Sequence, residues 1–340
     1  MILLLPTAFA ADLLFVGNSY IFVNALDEGV DTLLEAGQAA YAASNTVRLA
    51  KGGYTFADHV TQAGTDGTEW QANLTDTDGA WDWVFLQEQS QIPGFPRDNS
   101  QWIASRDAAA ALDDLAEARG AETFFLLTWG RRAGDDTNPD LYPDFPTMQA
   151  ALTDGYTAYR DATSTAARPT WIAPVGPAFS AVYAESAAAG DPLDPAGKFY
   201  RLYSDDGSHP SPLGTYLAAC VIYASVTGHS PEGLAPMSGV PDQDAEWPQA
   251  LAWAVVSDNS LEFTYPSPTP EEIEDDPTDT GGADAAHDDD SEDDAPACGC
   301  TTSSDIHGFP TAVTLPIAVV LLALKRRRRR ADQGATLSRA

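Results

Sequence analysis

Two short stretches of the chain carry side chains able to do covalent chemistry. The first is Phe15-Val16-Gly17-Asn18-Ser19-Tyr20, an apolar run that closes on glycine, asparagine and serine. A serine at a glycine-containing turn out of a strand presents its hydroxyl at the sheet edge, and its own N–H can face a developing oxyanion. The same serine could instead simply cap the helix that follows. The second stretch, far downstream, is Asp205-Asp206-Gly207-Ser208-His209-Pro210-Ser211-Pro212-Leu213-Gly214. An aspartate three residues before a histidine can turn back and accept the imidazole Nδ1–H. That fixes the tautomer and leaves Nε2 free to take a serine proton. A solvated loop would have the same composition. His59, His209 and His229 are the histidines before residue 265, and His209 alone stands in a loop with a carboxylate at this spacing. Asp205 adjoins Asp206 and competes for the ring. Ser208 and Ser211 flank His209 too closely in sequence for a productive reach.

Two further blocks lie between these ends. Leu49-Ala50-Lys51-Gly52-Gly53-Tyr54-Thr55 follows one apolar run and Phe85-Leu86-Gln87-Glu88-Gln89-Ser90 ends another. In this order the four blocks resemble the SGNH (GDSL-type) hydrolase family, and more narrowly its subgroup with GNSY and LQEQS motifs. The resemblance spans roughly residues 12 to 229. It implies Ser19 as nucleophile, His209 as general base and Asp206 as its orienting carboxylate. It implies an oxyanion hole from the N–H groups of Ser19 and Gly53, with Gly52 the one-residue alternative. The family's third block reads Gly-x-Asn-Asp, and alignment puts Gln89 at the Asn position, with the same amide on a stem one methylene longer. The fold implied is a three-layer α/β/α sandwich around a central, mostly parallel five-stranded sheet of flavodoxin-like form. The reaction implied is ester hydrolysis through an acyl-enzyme, with no metal and no cofactor. The substrate expected is an acylated carbohydrate or another small ester. A lipase or phospholipase of the same family, and a non-catalytic surface binding protein on a degenerate scaffold, are the other two readings.

The elements that must position these residues follow an alternating pattern. Short apolar runs at 12–17, 46–50, 81–87, 123–129 and 170–175 read as strands, and segments 27–38, 105–119 and 147–163 read as helices, with a last helix at 212–227. Continuous apolar strands separated by helices predict a parallel sheet covered on both faces, with functional loops at the carboxyl ends of its strands. Among Trp70, Trp81, Trp83, Trp102, Trp129 and Trp171, position 129 is the one expected in a cleft; the others read as core, although sugar-stacking platforms remain open. Arg131 and Arg132 could meet an anionic group or be only solvated. Cys220 reads as a small core residue. Glu88 could be a cleft acid and receives no role.

Composition and the chain ends bound the setting. The chain has 340 residues, 50 acidic against 18 basic side chains and a net charge of −32; residues 1–265 alone carry 35 acidic and 11 basic, a net of −24. A body this acidic repels phosphate backbones, so nucleic acid is not an expected partner. Three cysteines exclude a disulfide-built scaffold. Residues 1–10, with Ala8-x-Ala10, read as a short signal peptide, and 11–265 as one hydrolase-like domain. Residues 266–297 hold 13 acids and no Lys or Arg and read as an extended acidic linker. The segment 298–330 then brings Cys298-Gly299-Cys300, an apolar run over 309–324 and the cluster Arg326 to Arg330, before a short tail at 331–340. Linker, cysteines, short apolar helix and arginines resemble the MYXO-CTERM type of bacterial sorting tail. That resemblance implies export, a sorting protease acting near Cys298 and Cys300, membrane association through the apolar segment, and residence at the cell surface or release from it. A plain single-span anchor is the alternative.

Overall fold

The computed structural model describes residues 11–37, 45–76, 80–259 and 263. The expected signal segment, acidic linker, Cys298, Cys300, apolar run, arginine cluster and tail lie outside the described residues.

Five strands form one sheet: β1 (Asp12–Gly17), β2 (Asn45–Ala50), β3 (Trp83–Leu86), β4 (Glu122–Leu126) and β5 (Trp171–Ala173), in the order β2-β1-β3-β4-β5. Every pairing is parallel, so the sheet is parallel throughout. All five expected strands are present, with ends moved by a residue or a few. Successive residues of a strand point to opposite faces, and both faces are buried here. Leu13, Phe15, Phe85, Phe124 and Leu126 belong to one core, Leu14, Val16, Val84, Leu86 and Phe125 to the other. That double burial is why the strands read as unbroken apolar runs rather than as alternating ones.

The helices are α1 (Ser19–Phe22), α2 (Leu26–Gly37), α3 (Phe56–Ala63), α4 (Glu69–Leu74), α5 (Ser100–Ala118), α6 (Phe145–Thr163), α7 (Val175–Ala189), α8 (Lys198–Arg201), α9 (Pro212–Thr227) and α10 (Glu246–Asp258). Residues of α2, α7, α9 and α10 fill the first core, and those of α3, α5 and α6 the second. This is the expected α/β/α sandwich. Segment 212–227 is helical as predicted, but α10 follows it. All residues of α9 from Leu213 to Thr227 are buried, and a helix apolar all round must be covered on every side; α10 joins it in that core. Ser211 caps α9 by accepting the Gly214 N–H at 3.2 Å, and Gly228 ends it at φ 69°. Gly155 of α6 lets the Pro93 carbonyl approach where any Cβ would clash, which seats the loop after β3 against that helix. Among the described residues no helix is long and apolar enough to cross a membrane.

Candidate active site

Strand order brings three of the four sequence blocks together. β1 lies between β2 and β3, with Gly17 opposite Ala50 and Val16 opposite Leu86, so the loops leaving these strands emerge side by side at their carboxyl ends. The chain moves from β1 to β2 on one side and to β3 on the other, the kind of switch point where α/β sheets open a crevice. Asn18 ties the three loops: its N–H donates to Gln87 Oε1 at 2.9 Å and its Nδ2 to the Tyr54 carbonyl at 3.1 Å. Gly17 permits this, because a Cβ there would stand 2.6 Å from Gln87 Oε1.

Ser19 is the first residue of α1, but it does not cap it. Asn18 does, its Oδ1 accepting the Tyr20 N–H at 3.2 Å. The Ser19 hydroxyl is left to His209, whose Nε2 lies 2.8 Å from Ser19 Oγ. On the other side of the ring, Nδ1 lies 2.5 Å from Asp206 Oδ2. The second Asp206 oxygen accepts the N–H groups of Ser208 and His209, each at 2.9 Å. Burial pushes the Asp206 carboxyl up, and the hydrogen bonds from the His209 ring and these two N–H groups outweigh it. The net result is a pKa below the ordinary carboxylate value. Asp206, not Asp205, takes the ring. Ser208 and Ser211 are engaged elsewhere: Ser208 Oγ meets Tyr20 OH at 2.8 Å, and Ser211 Oγ donates to the Arg201 carbonyl at 2.6 Å.

Beneath the histidine stands an aromatic column. The Tyr20 ring meets His209 edge-on at 5.7 Å and stacks on Trp129 at 4.7 Å, which stacks on Phe179 at 4.8 Å. Trp129 is fully buried and its Nε1 donates to the Ser208 carbonyl at 3.1 Å. The cleft position expected for it is therefore corrected: it supports the Asp206–His209 loop from below. Arg132 braces that loop as well. Its N–H donates to the Gly207 carbonyl at 2.8 Å and its guanidinium lies over Tyr200, 3.7 Å from the ring centroid. Arg131 pairs with buried Asp135. Neither arginine is merely solvated.

The expected oxyanion donors differ in how they are held. Lys51 to Tyr54 form a turn closed by Tyr54 N–H to the Lys51 carbonyl at 3.1 Å, with Gly53 at φ 73°. Left-handed backbone there favours glycine. Among the described residues the Ser19 and Gly53 N–H groups make no hydrogen bond, so both remain available as donors. The Gln89 amide is engaged with Gln91: Nε2 donates to Gln91 Oε1 at 3.1 Å, and Oε1 accepts the Gln91 N–H at 2.8 Å. Gln91 Nε2 in turn donates to Asp135. One Gln89 amide hydrogen is left over, since the group has two.

Glu88 is not a cleft acid. It is fully buried, and burial pushes its carboxyl up to about 7, against the pull of hydrogen bonds from Ser105 and from the Gln89 and Phe56 N–H groups. His59, also buried, accepts the Trp70 Nε1–H at 2.6 Å, and burial lowers its pKa to about 4. His229 Nδ1 bonds to the Thr227 carbonyl at 2.7 Å, and Cys220 is buried as expected. Of the tryptophans, Trp81, Trp102 and Trp171 are core, whereas Trp70 and Trp83 are half-buried. Among the described residues no group of three or more His, Cys, Asp or Glu side chains converges as a metal site. Sequence reasoning passed over Tyr20, Gln87 and Glu88 as parts of this assembly, although all three lie inside the blocks it quoted.

Several solved structures are similar to this chain. A DUF4886 family protein from Bacteroides uniformis is 17% identical with a TM-score of 0.55, the match covering 75% of this chain and all of that one (100%). A protein from Slackia heliotrinireducens, provisionally assigned as an SGNH hydrolase, is 26% identical with a TM-score of 0.48, over 63% of this chain and 97% of its own. A catalytic mutant of an acetylxylan esterase from Geobacillus stearothermophilus is 12% identical with a TM-score of 0.42, over 64% and 93%. No protein-family model matches the chain, and no curated protein does. The likeness to the Bacteroides uniformis protein is one of fold, and in this chain that fold is a five-stranded parallel sheet between helical layers.

Proposed function

We propose that this chain is a serine esterase of the SGNH type, hydrolysing carboxylic esters of small acyl groups, including those carried on carbohydrate. The observation that carries the reading is the pair of contacts on one imidazole, Nε2 to Ser19 Oγ at 2.8 Å and Nδ1 to Asp206 Oδ2 at 2.5 Å. His209 removes the Ser19 proton as Oγ attacks the ester carbonyl, and Asp206 stays ionised while it stabilises the imidazolium. The carbonyl oxygen becomes an oxyanion facing the N–H groups of Ser19 and Gly53, with the Gln89 amide as the third donor. The tetrahedral intermediate collapses, the C–O bond to the alcohol breaks, and His209 returns its proton to that oxygen. Water then attacks the acyl-Ser19 ester by the same route in reverse, releasing the acid and restoring the hydroxyl.

The test is hydrolysis of p-nitrophenyl acetate, butyrate and palmitate by the full chain, beside Ser19→Ala and His209→Ala. We expect turnover that falls at least about 10³-fold in each variant, with short acyl chains preferred. Undiminished turnover in Ser19→Ala, or none in folded wild-type protein, overturns the reading. The export signal, acidic linker and sorting tail read from the sequence extend the proposal to an enzyme displayed at a bacterial surface.

A further inference from the structure

We propose that Glu88 is the strut that sets the distance between two of the loops carrying oxyanion donors, those of Gly53 and Gln89, a positioning residue that never touches substrate. The inference rests on the esterase reading above and adds a part to it. Glu88 Oε1 accepts two backbone N–H groups at once: Phe56 at 3.0 Å and Gln89 at 2.6 Å. Phe56 opens α3, three residues after Gly53, and Gln89 carries the amide donor. One carboxylate oxygen therefore clamps the loop leaving β2 to the loop leaving β3. The clamp is itself fixed from behind. Glu88 Oε2 accepts the Ser105 hydroxyl of α5, Ser105 Oγ meets Tyr159 OH of α6 at 2.7 Å, and the Glu88 N–H donates to Tyr156 OH at 3.1 Å.

Burying a carboxyl at no exposure is costly unless it is fully hydrogen-bonded. A fold that needed only packing at this point would place an aliphatic side chain there. Glu88 instead spends its two oxygens on α3, the loop after β3 and α5, and through the first two it holds the spacing of Gly53 and Gln89. The length of the side chain matters and its charge does not, because Oε1 can accept both N–H groups whether or not Oε2 carries a proton. Glutamine has the same reach, with Oε1 for the two N–H groups and Nε2 for Ser105 Oγ. Aspartate keeps the charge and falls one methylene short.

Oxyanion donors displaced by about 1 Å cost on the order of 10²-fold in rate. The experiment compares Glu88→Asp, Glu88→Gln and Ser19→Ala in the full chain on p-nitrophenyl acetate, with kcat normalised to active sites counted by the nitrophenol burst. We expect Glu88→Asp to lower kcat about 10- to 100-fold with KM within about 3-fold, and Glu88→Gln to keep kcat within about 3-fold. Should Glu88→Asp fail to fold, the Gln variant decides alone: a loss of kcat as large as about 10-fold there makes the charge the essential feature and overturns the strut. Wild-type kcat in Glu88→Asp overturns it too. Turnover that persists in Ser19→Ala overturns instead the esterase reading beneath it.

Discussion

Glu88→Gln should also change how stability depends on pH, and the size of the change follows from the burial of this one carboxyl. In the folded chain its pKa is pushed from an ordinary 4.5 to about 7 by burial, with Asp58 adding to the push and the hydrogen bonds from Ser105, Gln89 and Phe56 resisting it. Tyr156 and Tyr159 face it from α6, and both are themselves raised above the ordinary tyrosine value by burial, so neither titrates in the range of interest. A group whose folded pKa is raised binds more protons in the folded state than in the unfolded one. Its contribution is therefore full below about 4.5 and is lost as pH climbs through about 7. At about 1.4 kcal/mol per pH unit the whole loss is on the order of 3 kcal/mol, of which about 2 kcal/mol falls between pH 5.5 and 8.5. Glutamine does not titrate, so the variant escapes it.

The measurement must be a difference between proteins, because His59 works in the opposite sense. Its folded pKa is lowered from 6.5 to about 4 by burial, so its contribution is present above 6.5 and lost as pH falls through about 4. In wild type alone the two slopes offset each other most fully between about pH 5 and 6. Urea unfolding of the full chain, followed by tryptophan fluorescence at several pH values from 5.5 to 8.5, should show Glu88→Gln gaining about 2 kcal/mol on wild type as pH rises. A gap between the two that stays constant to within about 0.5 kcal/mol would refute the reasoning, and would mean that the carboxyl titrates as if hydrated.

Gly53→Ala should lower kcat on p-nitrophenyl acetate by more than about 10-fold, because φ 73° strains an alanine by about 1–2 kcal/mol and turning the peptide re-aims its N–H. Gly52→Ala, whose Cβ would meet nothing within 4 Å, should stay within about 3-fold, and the reverse pattern would move the donor to Gly52. Protease added to intact cells producing the full chain should remove the esterase activity if the domain is displayed outside; activity released only on lysis would defeat that part of the proposal.

Much of the site was legible because its residues sit where chain direction changes. Gly17, Gly53 and the DxxH loop are local features: a close approach, a left-handed turn, and a carboxylate three residues from its histidine. Sequence shows such features directly, and the parallel sheet then brings the separate loops to one edge. Trp129 was misread for the opposite reason. It follows an apolar strand and precedes two arginines, so the local pattern fits a cleft mouth; only α7 and Tyr20, distant in sequence, make it a buried pillar. α10 was passed over as well, yet α9 pointed to it, since a sixteen-residue helix with no polar face has to be covered by something not yet accounted for.

The block after β3 is the instructive failure, because its solution was present in the pattern. Read as a motif, Gln87-Glu88-Gln89 offers one amide to align and two polar residues left over. Read as the continuation of a strand, it separates into roles. Side chains alternate between faces, and Val84 and Leu86 pack into the core shared with α3, α5 and α6. Two residues beyond Leu86 on that same face comes Glu88, aimed into a wholly buried layer. A carboxylate sent there needs donors from the helices it enters, and Ser105, Phe56 and Tyr159 lie there. Gln87, on the alternate face, is free to turn toward β1 and take the Asn18 N–H. Pairing ends at Leu86 and only the Gln87 N–H still bonds across, to the Val16 carbonyl, so by Gln89 alternation no longer dictates direction, and its amide settles on Gln91. The period of two thus assigns the buried acid and the anchoring amide, and it stops short of the one residue whose chemistry the motif alone had named.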